Sequence, residues 1–213
     1  MNGAALSITN ITVGITCLVS IMLMQKPAGK ALLVLHPVTM REHHQWYRFI
    51  TSGFVHADGV HLAVNMFVLW SFGNAIEGMY YPAFLGEFSA QKYMLLYFGG
   101  IVAASLPSYV RHKKDPDYAA LGASGGVSAV VFAAILFEPW QNLYLYGAIP
   151  IPQLLAGVAY LFYSWYQDRK ADDNSAHMAH FTGALWGFLV TGMMRPDLFI
   201  RFLERALQGP AWL

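Results

Sequence analysis

The feature that most constrains this chain is where its charges are missing. Residues 1–25, 59–76, 93–110, 118–137, 139–167 and 174–194 contain no Asp, Glu, Lys or Arg. A helix that crosses a bilayer needs about 20 mostly apolar residues, with about 17 at the short end, and all six runs reach that length. Run 139–167 exceeds one span, so its helix is expected to start near Pro150–Pro152, where a proline fits the first turn. Charged residues make up 12% of the chain and hydrophobic ones 56%, with a mean hydropathy of +0.42. A soluble domain has about 25% charged residues, so this composition argues against a soluble enzyme and equally against disorder. A net charge of +1 points to no nucleic-acid partner. Cys17, the single cysteine, has no internal disulfide partner.

Backbone groups in lipid must be satisfied within the fold, which leaves helices or a closed barrel. Barrel strands alternate apolar and polar residues; these runs do not. The expectation is an all-α polytopic bundle in one domain spanning 1–213. Its six transmembrane helices would lie near 8–24, 59–79, 92–110, 122–137, 150–167 and 176–194. The first run lacks the basic stretch that precedes a signal sequence's apolar core, so it reads as a span. The connection 25–58 is long and mixes Trp, Tyr, His, Arg and Pro, which suggests a structured loop.

Polar side chains inside such spans are costly and mark function or helix contacts. His61 and Asn65 stand four apart in the second run. Gly122-Ala123-Ser124-Gly125-Gly126 opens the fourth, and the sixth carries His177, His180, Gly183 and Gly187. Asn65, Ser124 and His180 each lie six residues after the start of their charge-free run. At a rise of ~1.5 Å per residue, each sits about 9 Å inside. Spans two, four and six start on the same side, so a carboxamide, a hydroxyl and an imidazole can converge at one depth.

That set suits hydrolysis. A serine hydroxyl becomes a nucleophile when a base takes its proton, and a neutral imidazole is the usual base. Acyl transfer also needs donors aimed at a developing oxyanion, which His61, Asn65 and backbone N–H groups at the start of helix four can supply. His180, Gly183 and Gly187 share a helix face. Gly183-x-x-x-Gly187 permits close contact with the small residues Ser124, Ser128, Ala129 and Ala133 of helix four. Each element has a plainer reading: serine serves as packing glue in apolar helices, and a buried histidine is often structural. His177-x-x-His180 also has the spacing of two metal ligands, but no cysteine or carboxylate completes a site at that depth. No metal or cofactor is expected. A small transporter would show internal repeats or ionisable groups at midplane, and neither is present.

Together these residues resemble the rhomboid family of intramembrane serine proteases. The resemblance runs from about Trp46 to Gly192. It rests on His61-x-x-x-Asn65, on Gly122-Ala123-Ser124-Gly125 and on Ala179-His180-x-x-Gly183-x-x-x-Gly187, with Arg48, Thr51, His56 and Gly73-x-x-x-Glu77 as further family-like features. Many members have Trp-Arg in the first loop where this chain reads Tyr47-Arg48. The resemblance implies a Ser124–His180 dyad without a carboxylate, and His61, Asn65 and the Ser124 N–H around the oxyanion. It selects His180 over His177. Arg48, His56 and Glu77 would be supporting, structural residues, as would the glycines Gly122, Gly125, Gly183 and Gly187.

The resemblance further implies that single-pass membrane proteins are the substrates, cut near the membrane interface, with the fifth helix as a lateral gate and the protein acting as a monomer in the bilayer. A catalytically silent rhomboid-like protein that binds transmembrane clients is the alternative. Without an Arg- and Ser-rich presequence, a bacterial inner membrane is expected, with the site toward the outer face. The positive-inside rule points the other way. Loops one, three and five carry Lys26, Lys30, Arg41, Arg48, Arg111, Lys113, Lys114, Arg169 and Lys170, whereas the other side has Lys92, Arg195, Arg201 and Arg205.

Overall fold

A computed structural model describes residues 7–145, 149–170 and 177–210. The first helix, α1 (Ile8–Met24), is inverted relative to a helix of a soluble protein. Thr9, Thr12, Thr16 and Ser20 are buried, while Ile11, Ile15, Leu18, Ile21 and Met22 are exposed. In water, hydroxyls inside and isoleucines outside would be upside down. In lipid the arrangement suits the surroundings, and two of the hydroxyls find partners within the protein. Thr9 Oγ1 donates to Tyr93 Oη at 2.7 Å, and Ser20 Oγ donates to the Phe54 carbonyl at 2.9 Å.

The connection after α1 is folded. It holds α2 (Pro27–Ala31), α3 (Pro37–His43) and α4 (Arg48–Thr51), and then a single 3-10 turn, Ser52–Phe54. Arg48 is only 3% exposed. Its guanidinium donates to the carbonyls of Ala31 (2.7 Å) and Val34 (2.9 Å) and to Gln45 Oε1 (2.7 Å), which fastens α2 to α4.

Next comes α5 (Gly59–Ala75), continued by a π-helical turn, Ile76–Tyr80, and by α6 (Tyr81–Leu85). Glu77 lies in the π turn. Its carboxylate accepts the N–H groups of Ile8 at 2.6 Å and Thr9 at 2.8 Å, while Ser7 Oγ accepts the Asn10 N–H. The unpaired donors and positive dipole end of α1 are thus met by a negative charge from another helix.

Helices α7 (Ser89–His112), α8 (Ser124–Phe137) and α10 (His177–Met194) pack on one another most extensively, with α5 against α8 and α1 against α5. At the centre, α8 is buried at nearly every position from Gly125 to Phe137. Among the described residues, 59–85 and 89–112 are long and apolar enough to cross a membrane by length and composition. Ile8–Met24, Ser124–Phe137 and Gln153–Phe162 are apolar but shorter.

Two expectations need correction. The chain is mostly helical but not wholly so: β1 (Asn142–Leu145) and β2 (Ile149–Pro152) pair antiparallel, with Asn142 opposite Pro152 and Tyr144 opposite Pro150. Pro150 and Pro152 therefore stand in a strand, and α9 (Gln153–Lys170) starts after them. A two-stranded ribbon has only edges, so prolines without N–H groups are tolerated there. The first donors of α9 instead meet loop carbonyls, Gln153 N–H to Gln141 O and Leu154 N–H to Pro139 O, each at 2.9 Å. A further helix, α11 (Asp197–Gln208), follows α10. Its four charged residues hid it from a search for charge-free runs.

Candidate active site

Ser124 is the first residue of α8, and the turn before it is held by three contacts. Gly122 has φ +117, a region that favours glycine, and a Cβ there would lie 2.9 Å from His61 Cε1. The Gly122 N–H donates to the Ser52 carbonyl at 2.9 Å, and the Ala123 N–H donates to His56 Nε2 at 3.2 Å. Among the described residues no side chain caps α8. Helix geometry leaves the N–H groups of its first turn without intrahelical acceptors, at the positive end of the helix dipole.

His56, 1% exposed, sits in the loop ahead of α5. Its Nδ1 lies 2.9 Å from Ser20 Oγ, whose own proton goes to Phe54 O. With Ala123 donating to Nε2, the ring must be neutral and protonated at Nδ1. Burial, assisted by His61 and by Lys30, pushes its pKa from 6.5 down to about 4. Asp58 caps α5 by accepting the His61 N–H at 2.8 Å, which holds its carboxyl below the ordinary range.

His180 reaches Ser124 across a backbone-to-backbone helix contact. A Cβ on Gly183 would overlap the Gly125 carbonyl, and one on Gly187 would overlap the Ala129 carbonyl. Gly125 in turn lies so close to Ala104 of α7 that a Cβ would collide with it. With α8 and α10 in backbone contact, His180 Nε2 lies 2.9 Å from Ser124 Oγ. Both line a cavity of about 390 Å³ together with His61 and Asn65 of α5 and Tyr160 of α9. Asn65, 7% exposed, donates one amide hydrogen to the His61 carbonyl at 2.9 Å. Its second hydrogen remains available to the cavity.

The remaining anticipated residues lie elsewhere. Arg48 and Glu77 hold the first loop and α1, and His56 acts on the turn at Ala123 without lining the cavity. His177 opens α10, but its side chain falls outside the described set. Among the described residues no group of three potential metal ligands forms.

Sequence reasoning missed Tyr160. Its ring is 5.3 Å from the His180 ring, centroid to centroid, and its hydroxyl is 3.3 Å from Ser128 Oγ. Nothing separates this tyrosine by sequence from the others of α9, since only the packing of α9 on α10 selects it.

A family model, the Rhomboid domain, matches residues 43–197. This chain belongs to the rhomboid family. Rhomboid proteins are integral membrane proteins and include serine proteases. Similar proteins include RHOMBOID-like protein 12, mitochondrial, of Arabidopsis thaliana, 29% identical over 72% of this chain and 48% of that protein. Rhomboid protease GluP of Bacillus subtilis is 25% identical over 76% of this chain and 29% of its own length. Rhomboid protease GlpG of Haemophilus influenzae is 24% identical over 78% of this chain and 81% of its own. The chain thus spans about half the length of the first of these rhomboid relatives and less of the second.

Proposed function

We propose that this rhomboid is an intramembrane serine endopeptidase that cleaves transmembrane segments of other membrane proteins near the membrane interface. The observation that carries this reading is the 2.9 Å approach of His180 Nε2 to Ser124 Oγ on the wall of a cavity that also holds His61 and Asn65. His180 takes the Ser124 proton as Oγ attacks the scissile carbonyl. The oxyanion receives hydrogen bonds from Asn65 Nδ2, from the His61 ring and from the Ser124 N–H. On collapse the imidazolium gives its proton to the leaving amine. Water, deprotonated by His180, then cleaves the acyl ester and restores Ser124.

The same reading has six membrane spans, formed by α1, α5 with its continuation, α7, α8, α9 and α10. Surrounding helices shelter α8, which therefore needs less length. We place the protein in a bacterial inner membrane with the cavity toward the outer face, although the loop charges run the other way. At least Arg48 is not a free loop charge, since it is buried on carbonyls. A cytoplasm-active reporter fused to the C-terminus should be active in this orientation; a silent one overturns it. Substrate entry is assigned to the α5–α9 side of the cavity. A covalent crosslink between cysteines on α5 and α9, with Cys17 removed, should stop cleavage, and full activity would refute that entry route.

The central test pairs the purified protein with its Ser124→Ala variant on a transmembrane substrate in detergent. Cleavage by the first alone is expected, and equal cleavage by both ends the proposal. A fluorophosphonate should label Ser124, and His180→Ala should abolish labelling. Stable client binding with neither cleavage nor labelling would favour the silent alternative.

A further inference from the structure

Helix α11 is divided into three lengthwise strips. At about 100° per residue, Leu198, Phe199 and Phe202 fall on one side. Leu198 is 2% exposed, and the rings of Phe199 and Phe202 pack on Phe188 at 5.6 and 5.2 Å between centroids. This strip fixes the helix to the bundle. Trp140 Nε1 donates to the Arg205 carbonyl at 2.7 Å, and the Arg205 guanidinium bonds Phe137 O and Glu138. These contacts hold α11 at the C-terminal end of α8, about 20 Å along that helix from Ser124.

The second strip is Ile200, Leu203 and Leu207, at 64%, 57% and 79% exposure. It follows directly in the chain on the exposed row Leu185, Leu189 and Met193 of α10. The third strip carries Asp197, Arg201, Glu204 and Gln208, and Arg201 Nε donates to Asp197 Oδ2 at 2.9 Å. One cation and two anions leave this strip with no net positive charge for acidic headgroups to attract.

Three media are therefore addressed at once: protein core, an apolar layer and water. An integral membrane protein meets all three only where hydrocarbon ends and headgroups begin. The indole of Trp140, bonded to α11, is a side chain suited to that level. We propose that α11 lies along the membrane–water boundary of the leaflet opposite Ser124. Ile200, Leu203 and Leu207 enter the upper acyl layer of ordinary phospholipid, held by apolar insertion and not by headgroup charge.

The test uses the whole protein with Cys17→Ala and one new cysteine, Leu203→Cys or Glu204→Cys, each bearing an environment-sensitive fluorophore, in phosphatidylcholine vesicles. The Leu203 probe should emit to the blue and be quenched more by bromines near the glycerol than by bromines at the chain ends. That is the pattern of a group about 5–10 Å below the headgroups. The Glu204 probe should emit as in water and be quenched severalfold less. Leu207→Cys, the most exposed position of the strip, repeats the test where substitution cannot disturb packing. Water-like emission at both 203 and 207 overturns the proposal. So does blue emission that brominated lipid fails to quench, since another protein surface or a second copy would then cover the strip. Quenching that appears only when phosphatidylglycerol is added overturns insertion driven by apolar contact.

Discussion

Gly183 faces the carbonyl of Gly125 across an interface with no room for a methyl group. The distance from His180 to Ser124 is a consequence of that contact, because His180 sits one helical turn earlier on the same face of α10.

Gly183→Ala should therefore push α10 from α8, costing about 1–3 kcal/mol of stability. Cleavage should fall on the order of a hundredfold as the imidazole moves by about an ångström. Gly14→Ala in α1, where a Cβ meets nothing within 4 Å, is the matched control and should be neutral or stabilising. Thermal unfolding in detergent and cleavage assays read both, and wild-type behaviour of Gly183→Ala would break the link between backbone contact and dyad geometry.

His56 sets a pH dependence. Its pKa is about 4 in the fold against 6.5 unpaired, so the unfolded chain binds more protons between those values. The stabilisation is complete above about pH 6.5, shrinks as pH falls and is gone below about 4, with a full effect of order 3 kcal/mol. His56→Gln can still accept from Ala123 and donate to Ser20 but does not titrate, so its unfolding temperature should vary less across that window. An unchanged pH profile in His56→Gln would remove His56 as the cause.

Glu77→Gln removes the charge at the start of α1 and turns one acceptor into a donor facing an N–H. A loss of about 1–2 kcal/mol is expected, with faster amide exchange confined to the first turn of α1. Exchange that rises equally in α1 and α8 would mean that Glu77 supports more than this helix end.

Tyr160 contacts His180 through its ring. Tyr160→Phe keeps that surface and should lose less than about threefold in cleavage, whereas Tyr160→Ala frees the imidazole and should lose about ten- to a hundredfold. Equal losses in both variants would show that the hydroxyl near Ser128, and not the ring, matters.

Several features were legible in the residues alone because they depend on order along one helix. Charge-free runs mark the stretches in which α1 and α10 form, and Asn65, Ser124 and His180, each six residues into its run, line one cavity. The small residues of helices four and six marked their contact. The rest needed the third dimension. Pro150 and Pro152 suited a helix start as well as an edge strand, and only pairing with Asn142 and Tyr144 chose the strand. His56 and Ala123 are 67 residues apart, and no pattern in the chain pairs them.

The sequence by itself marked apolar surroundings and a helical character, and set Asn65, Ser124 and His180 equally far into their charge-free runs, because hydrophobicity and helix pitch act locally. The tertiary structure alone decided how closely His180 approaches Ser124, which tyrosine packs on its ring and which carboxylate caps α1. Those choices are made by distances between helices, and such distances follow from close packing across the whole bundle.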